Sequence, residues 1–96
     1  MGKDRLQAMQ LINRNNAPVM IQKRMRESSK LHAIVTTWKR DRKIEIIKNG
    51  GKYSLTENGF QHFQASKLSA EKCISVLKEK MKVEFPRSHQ IYIAFK

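Results

Sequence analysis

The segment 44–59 reads IEIIKNGGKYSLTENG and carries the clearest structural signal in the chain. Its first five residues are rich in β-branched side chains, which favour an extended chain. An Asn-Gly pair follows and leads into a second extended run that contains Tyr53 and Leu55. Asn-Gly between two such runs is the strongest short-range signal for a β-hairpin, because both turn residues must adopt positive φ. The sequence therefore predicts a hairpin here.

Two registers of this hairpin are open. If the loop is Asn49–Gly50, Ile46 faces Tyr53 and the apolar residues of both strands share one face. If the loop is Gly50–Gly51, Ile46 faces Leu55 instead. We prefer the first register, because it groups the apolar side chains better on the side that must be buried.

Upstream of the hairpin, apolar residues recur at helical spacing. The spacing predicts three helices, over about 4–13, 18–26 and 29–42. The third pattern is the clearest, since Leu31, Ile34, Val35 and Trp38 fall at positions i, i+3, i+4 and i+7 of an amphipathic stripe. Core packing is the expected role of Trp38 on this stripe.

Downstream of the hairpin, we expect a fourth helix that starts within 56–59 and includes Phe60 and Phe63. A further helix is predicted over 69–82, with Ser69 as its N-cap. The last segment, 90–95, alternates apolar residues between two faces and predicts a strand.

Composition limits the class of protein. The chain has 96 residues, which fits one domain, and 40% hydrophobic against 29% charged residues is a balance typical of globular proteins. The formal charge is +12, and residues 14–52 alone carry +8 of it. Such clustering is typical of proteins that bind nucleic acid, although an acidic protein, an acidic membrane or a solvated basic face remain alternatives.

Several other classes are not expected. A single cysteine, Cys73, excludes an intramolecular disulfide and suits a reducing compartment. We find no secretory signal and no apolar run long enough for a membrane helix, so we expect no membrane partner and a cytoplasmic location, nucleoid-associated in a bacterium. The histidines lie at His32, His62 and His89, without metal-ligand spacing. No catalytic set, metal or cofactor is expected, and the chain is not predicted to be an enzyme.

The order of the predicted elements resembles a winged helix-turn-helix. Ile21 and Met25 are similar to the buried pair of its second helix, and 53–59 is similar to the segment that closes the wing. The buried stripe of the recognition helix and the first wing strand correspond to Leu31, Val35, Trp38, Ile44 and Ile46. The resemblance covers about 4–66. It implies an α+β fold with a three-helix core and a β-hairpin wing over 1–66, and leaves 67–96 as a C-terminal helix and strand extension.

The resemblance implies binding of double-stranded DNA by a small transcriptional regulator. Helix 29–42 would enter the major groove, which admits an α-helix, and the basic wing 48–52 would hold the neighbouring backbone. Arg40 is suited to two-pronged hydrogen bonding with guanine or phosphate. The candidate DNA-contacting residues are Lys23, Arg24, Ser29, Lys30, His32, Ala33, Thr36, Thr37, Arg40, Lys48, Asn49 and Lys52.

Two questions stay open from the sequence. The segment 67–96 either completes the core of its own domain or forms a homodimer contact. The alternative functions are a winged-helix interaction module that docks on an acidic protein partner, and RNA binding. No small-molecule ligand is indicated.

Overall fold

The structure is a computed structural model that describes residues 9–37, 39 and 41–96. Its elements are β1 (Gln10–Asn13), α1 (Asn16–Glu27), β2 (His32–Thr36), β3 (Lys43–Asn49), β4 (Lys52–Asn58), β5 (His62–Leu68), α2 (Ala70–Glu84) and β6 (Gln90–Phe95). Within this part of the chain the strands form one antiparallel sheet in the order β1-β6-β2-β3-β4-β5.

The last strand of the chain lies inside the sheet. β6 pairs antiparallel with both β1 and β2, so those two strands run in the same direction with β6 between them. β5 and β6 also run in the same direction, because β2, β3 and β4 separate them with alternating polarity. Each helix is therefore the crossover of a split β-α-β unit, and both helices pack into one core with the sheet.

The core lies between the sheet and the two helices. Residues directly opposite one another in paired strands share a face, and Val35 lies opposite both Ile44 and Ile93. All three are buried, as are Ile21 of α1 and Leu77 of α2. Burying an aliphatic side chain of this size stabilises the fold by about 1.5–3 kcal/mol, so this single layer of contacts holds the sheet and helices together.

The winged helix-turn-helix prediction is wrong, because the segment 29–42 contains strand β2 and a loop in place of a helix. Ile34, Val35 and Thr36 are consecutive, β-branched and all buried. Val35 belongs to the core with the helices, while its two neighbours point to the opposite face of the sheet. An interior strand that is buried on both faces needs no alternation, and the helical stripe in the sequence was a coincidence of that two-sided burial. Trp38 lies outside the described residues.

Two further helix predictions are wrong and three elements are confirmed. Residues 10–13 form a strand where a helix was expected, and 4–8 lie outside the described residues. The expected fourth helix is absent, since β4 continues to Asn58 and β5 contains Phe63. The predicted helices near 18–26 and 69–82 and the strand 90–95 are present. Ser69 caps α2 as expected, with its hydroxyl accepting the backbone N–H of Lys72 at 3.1 Å.

The preferred hairpin register is also wrong. Asn49 lies opposite Lys52 and Ile46 lies opposite Leu55, so the loop is Gly50–Gly51. Both registers place the apolar residues of the two strands on one face, so hydrophobic patterning did not distinguish them. The turn decides, because both central residues have positive φ, 62° at Gly50 and 86° at Gly51, and glycine adopts these angles without steric cost.

The C-terminal segment supplies α2 and the interior strand β6. Ile91 and Ile93 of β6 are buried in the core, and α2 adds Ile74, Leu77 and Met81. A homodimer through 67–96 stays a prediction. In the described part of the chain, neither helix has the length and apolar character needed to cross a bilayer.

The hairpin turn predicts a specific pattern of stability. Gly50→Ala should lower the free energy of unfolding by about 1 kcal/mol, because left-handed backbone costs an L-residue about that much. No atom lies within 4 Å of a Cβ at this position, so the cost comes from the backbone alone. Gly50→Asn should cost less, since asparagine tolerates this conformation. Denaturant unfolding measures both variants, and equal costs for Ala and Asn would contradict the turn geometry.

Candidate nucleic-acid interface

Two buried glutamates are the first candidates for a chemical site. Glu57 of β4 is 1% exposed and Glu84, the last residue of α2, is 0% exposed. The Glu84 carboxylate accepts the backbone N–H groups of Phe60 at 2.9 Å and Gln61 at 3.2 Å, in the turn between β4 and β5. Lys80 Nζ lies 3.4 Å from Glu57 Oε1. The two carboxyl groups therefore meet where α2 ends against the β4–β5 turn.

Each of the two carboxyl groups shifts the pKa of the other. Burial, with Glu84 adding to its effect and Lys80 opposing it, raises the pKa of Glu57 to about 7. Burial also acts to raise the pKa of Glu84, but the bond from Glu57 and the N–H groups of Phe60 and Gln61 outweigh it and leave that pKa lowered. Between the ordinary pKa of 4.5 and about pH 7, Glu57 is therefore mostly neutral in the folded protein, while Glu84 is ionised.

Both glutamates are buried, so a substrate has no direct access to them. A carboxyl with a pKa near 7 is typical of a general acid or base, but such a group must reach the proton that it transfers. The groove beside Gly59 has a volume of about 270 Å³, and neither glutamate lines it. Gly59 leaves the space that the Glu84 carboxylate occupies, since a Cβ at this position would collide with Glu84 Oε1.

The second candidate is a row of lysines at the opposite end of the sheet. Five adjacent strands each bring one lysine to this end, at or near the point where the strand starts or stops. In sheet order from β6 to β5, the members of this lysine row are Lys96, Lys30, Lys48, Lys52 and Lys67. Four of the five are exposed and Lys48 is half-buried. The row exists because the strand order brings together residues from across the whole chain.

Backbone hydrogen bonds fix the spacing of the row. The N–H of Lys96 donates to the carbonyl of His32 at 2.8 Å, and the N–H of Lys48 donates to the carbonyl of Leu31 at 2.9 Å. Lys52 lies opposite Asn49 in the hairpin. Lys67 precedes Leu68, which pairs with Tyr53. Lys48, Lys52 and Lys67 thus lie within their strands and Lys96 follows β6 directly, while Lys30 lies two residues before β2. The side chains other than that of Lys48 are exposed and can reach a partner.

The helix ends add further charge to the same end. α1 finishes here with Arg24 and Arg26, and α2 starts here with Lys72. Glu27 and Glu71 are the carboxylates that the helices place nearby. Cations exceed carboxylates at this end by a wide margin, so an anionic partner is favoured.

The aromatic residues at this end are not available for stacking. Tyr53 is buried, and Lys48 Nζ lies 5.7 Å from its ring centroid. Phe95 is covered by the guanidinium of Arg24, 4.1 Å from its ring centroid. In the described part of this end, neither ring is open to a nucleic-acid base.

The structure brings many of the predicted contact residues together. Lys30, Lys48, Asn49 and Lys52 lie at the lysine end, and Ser29 is adjacent in the chain. Lys23 and Arg24 lie on the C-terminal half of α1, which leads to the same end. The structure shows where these residues lie, and their contact with DNA stays a prediction.

Other predicted contact residues lie elsewhere, because the recognition helix does not exist. Ala33 is 0% exposed and faces the helices, and Thr36 is 1% exposed with its hydroxyl donating to the carbonyl of Arg42 at 3.0 Å. Thr37 lies at the far end of β2, where its hydroxyl donates to Asp41 and lowers the pKa of that carboxyl. His32 is hydrogen-bonded to Glu45 on the face without helices.

Arg40 lies outside the described residues. Sequence reasoning missed two members of the row, Lys67 and Lys96. Lys96 directly follows a correctly predicted strand, so the sequence indicated that it lies at a strand end. The order of the strands was needed to know which other lysines lie beside it. Lys67 fell after the wrongly predicted fourth helix.

Metal and thiol chemistry are not indicated by the described residues. Within them, no group of three or more His, Cys, Asp or Glu side chains is placed to hold a metal ion. Cys73 is buried, and burial raises the pKa of its thiol to about 11. A thiol with that pKa is neutral at physiological pH and a poor nucleophile.

The chain matches no protein-family model, no curated protein and no solved structure. Its function must therefore be argued from its own residues.

The glutamate pair predicts an unusual pH dependence of stability. The folded pKa of Glu57 lies above its ordinary 4.5, so the folded state holds a proton that the unfolded state releases. The stabilisation is complete below about pH 4.5 and is lost as the pH rises through about 7, by at most about 3 kcal/mol. The lowered pKa of Glu84 acts with the opposite sign, below its ordinary value of 4.5.

Glu57→Gln keeps a neutral donor beside Glu84 at every pH. Its unfolding free energy should therefore fall less than that of the unmodified protein between pH 5 and 8, and should exceed it at pH 8. Denaturant titrations at four pH values test this. Parallel curves for the two proteins would show that the pKa of Glu57 is not raised in the folded state.

Proposed function

We propose that the protein binds double-stranded DNA through the lysine row and the tip of the β3–β4 hairpin. The observation that carries this proposal is the alignment of five lysines, one from each of five adjacent strands. The chain has a formal charge of +12, and the row collects five of its lysines at one end of the sheet. No recognition helix enters the DNA in this arrangement, because residues 32–36 form strand β2.

The dimensions of the row suit a nucleic-acid backbone. Neighbouring strands lie about 4.8 Å apart, so five strand ends span about 19 Å. B-form DNA presents one phosphate charge per 1.7 Å of axis, which gives roughly eleven charges over that length. Flexible lysine side chains on this row can each approach a phosphate, and such contacts hold the protein on the duplex without reading its sequence.

A duplex fits this surface better than a single strand. Proteins that bind single strands add aromatic side chains on which bases stack. Here Tyr53 is buried and Phe95 lies beneath Arg24. The lysine end offers charge without a stacking platform, which supports a partner whose bases are already paired.

The hairpin tip suits the major groove of B-form DNA. This groove is about 12 Å wide and admits a two-stranded β-ribbon, whereas the major groove of an RNA duplex is too narrow for side-chain readout. The tip carries no side chain at Gly50 or Gly51 and is flanked by Lys48 and Lys52. Asn49 is the residue at the tip whose amide can hydrogen-bond to a base edge. A role in transcription stays a prediction.

The proposal predicts the salt dependence of binding. With one phosphate per lysine of the row, log affinity for a random 20-base-pair duplex should fall against log salt with a slope of about −4.5. Lys48→Ala with Lys52→Ala should weaken binding and reduce the steepness by about 2. Fluorescence anisotropy between 50 and 300 mM NaCl, concentrations at which such contacts are normally resolved, measures both quantities.

The matched control is Lys78→Ala with Lys82→Ala, which removes the same charge from α2 outside the lysine row. This variant should keep most of the slope. Equal losses in the two double variants would reduce the effect to net charge and overturn the proposed surface. Equally strong competition by an RNA duplex would overturn the assignment to DNA, and failure to bind at low salt would overturn nucleic-acid binding.

A further inference from the structure

A second surface lies between the two helices, near the start of α1 and the end of α2. It is a groove with a volume of about 320 Å³. From α1 it is lined by Asn15, Pro18 and Val19, and from α2 by Lys78, Met81 and Lys82. Each set follows the i, i+3, i+4 spacing that places side chains on one face of a helix. Arg14 completes what we define as the helical groove.

The helical groove combines cations with an apolar floor. Arg14, Lys78 and Lys82 line it, and no carboxylate is among its lining residues. Val19 is 63% exposed, one of the largest exposures of an apolar side chain in the described structure, and Met81 is buried beside it. Exposed apolar surface next to unpaired charge of one sign is typical of an interaction site.

Arg14 is held in position before any partner arrives. Its Nη1 donates to the carbonyl of Phe85 at 2.6 Å, and its backbone N–H donates to the carbonyl of His89 at 2.8 Å. A guanidinium has five N–H donors, so donors beyond the one bound to Phe85 remain for a carboxylate. A preorganised guanidinium loses less entropy on binding than a free one.

We propose that the helical groove binds an acidic peptide segment of a partner protein, one that carries an aliphatic side chain between its carboxylates. The carboxylates would meet Arg14, Lys78 and Lys82, and the aliphatic side chain would cover Val19. A nucleic-acid backbone would use the three cations and gain nothing from the apolar floor. This site is separate from the lysine row, because Arg14 follows β1 at the end of the sheet where β6 begins.

The test uses a fluorescein-labelled synthetic peptide in which leucines at helical spacing alternate with glutamates. Lys78→Glu with Lys82→Glu should weaken its binding at least about tenfold, because attraction becomes repulsion. The matched control, Lys30→Glu with Lys52→Glu, makes the same change of charge in the lysine row and should weaken it less than about threefold. A peptide with serine in place of leucine should bind about fivefold more weakly.

Val19→Ser tests the apolar floor without altering charge. This side chain is mostly exposed, so the variant should fold normally and still bind the leucine peptide about threefold more weakly, with no loss for the serine peptide. If Lys78→Glu with Lys82→Glu lowers the thermal midpoint, the glutamine variants of the same two lysines replace it, with the same ordering expected.

The outcomes separate this proposal from the one on DNA. Loss of peptide binding in the groove variants but not in the lysine-row variant supports the helical groove, whether or not the protein binds DNA. Equal losses in both charge variants, or equal binding of the leucine and serine peptides, would overturn it. Loss of DNA binding without loss of peptide binding in the groove variants would make the groove a nucleic-acid surface instead.

Discussion

The hydrogen bonding of β6 to both β1 and β2 is the constraint on which the rest of the structure depends. β6 follows all the other strands in the sequence and pairs with the first of them, β1, so the sheet forms only when distant segments of the chain meet. Its residues Ile91 and Ile93 are buried against the helices. Without β6, β1 would have no partner in the described sheet and Val35 would lose a neighbour. Contacts of this sequence separation carry a large loop-closure entropy, which slows folding relative to local pairing.

The same insertion organises the charges of the molecule. Placing β6 beside β2 brings Lys96 next to Lys30, and the β2–β3–β4–β5 meander extends the row to Lys67. At the other end of the sheet two carboxyl groups are buried, where Glu84 accepts backbone N–H groups of the β4–β5 turn and Glu57 lies beside Lys80. Cations therefore dominate one end of the sheet, while Glu57 and Glu84 are buried at the other end.

Local signals in the sequence were reliable for helices that bury one face and expose the other. α1 and α2 each have one buried face and one solvated face, so helical periodicity located them, and Ser69 marked the start of α2. Local signals failed for β2, whose consecutive residues Ile34 and Val35 are buried on opposite faces. They failed for β5, an edge strand in which Phe63, Ala65 and Leu68 are only partly buried. Because β2 was predicted to be part of a helix, its buried residue Ala33 was among the predicted DNA contacts.

The net charge, a basic hairpin tip within 48–52, the two helices and the strand at the C-terminus were predictable from the sequence. These follow from composition, turn chemistry and periodicity, which act over a few residues. The register of the hairpin is also set locally, by the positive φ of Gly50 and Gly51, although hydrophobic patterning did not reveal it. The order of the strands and the neighbours of Lys48 and Lys52 in the row depend on tertiary structure. Strand order depends on contacts between residues far apart in the sequence, and no short segment of the sequence reveals the free energy of those contacts. The lysine row and the helical groove are products of that order, which is why neither could be found before the strands were placed.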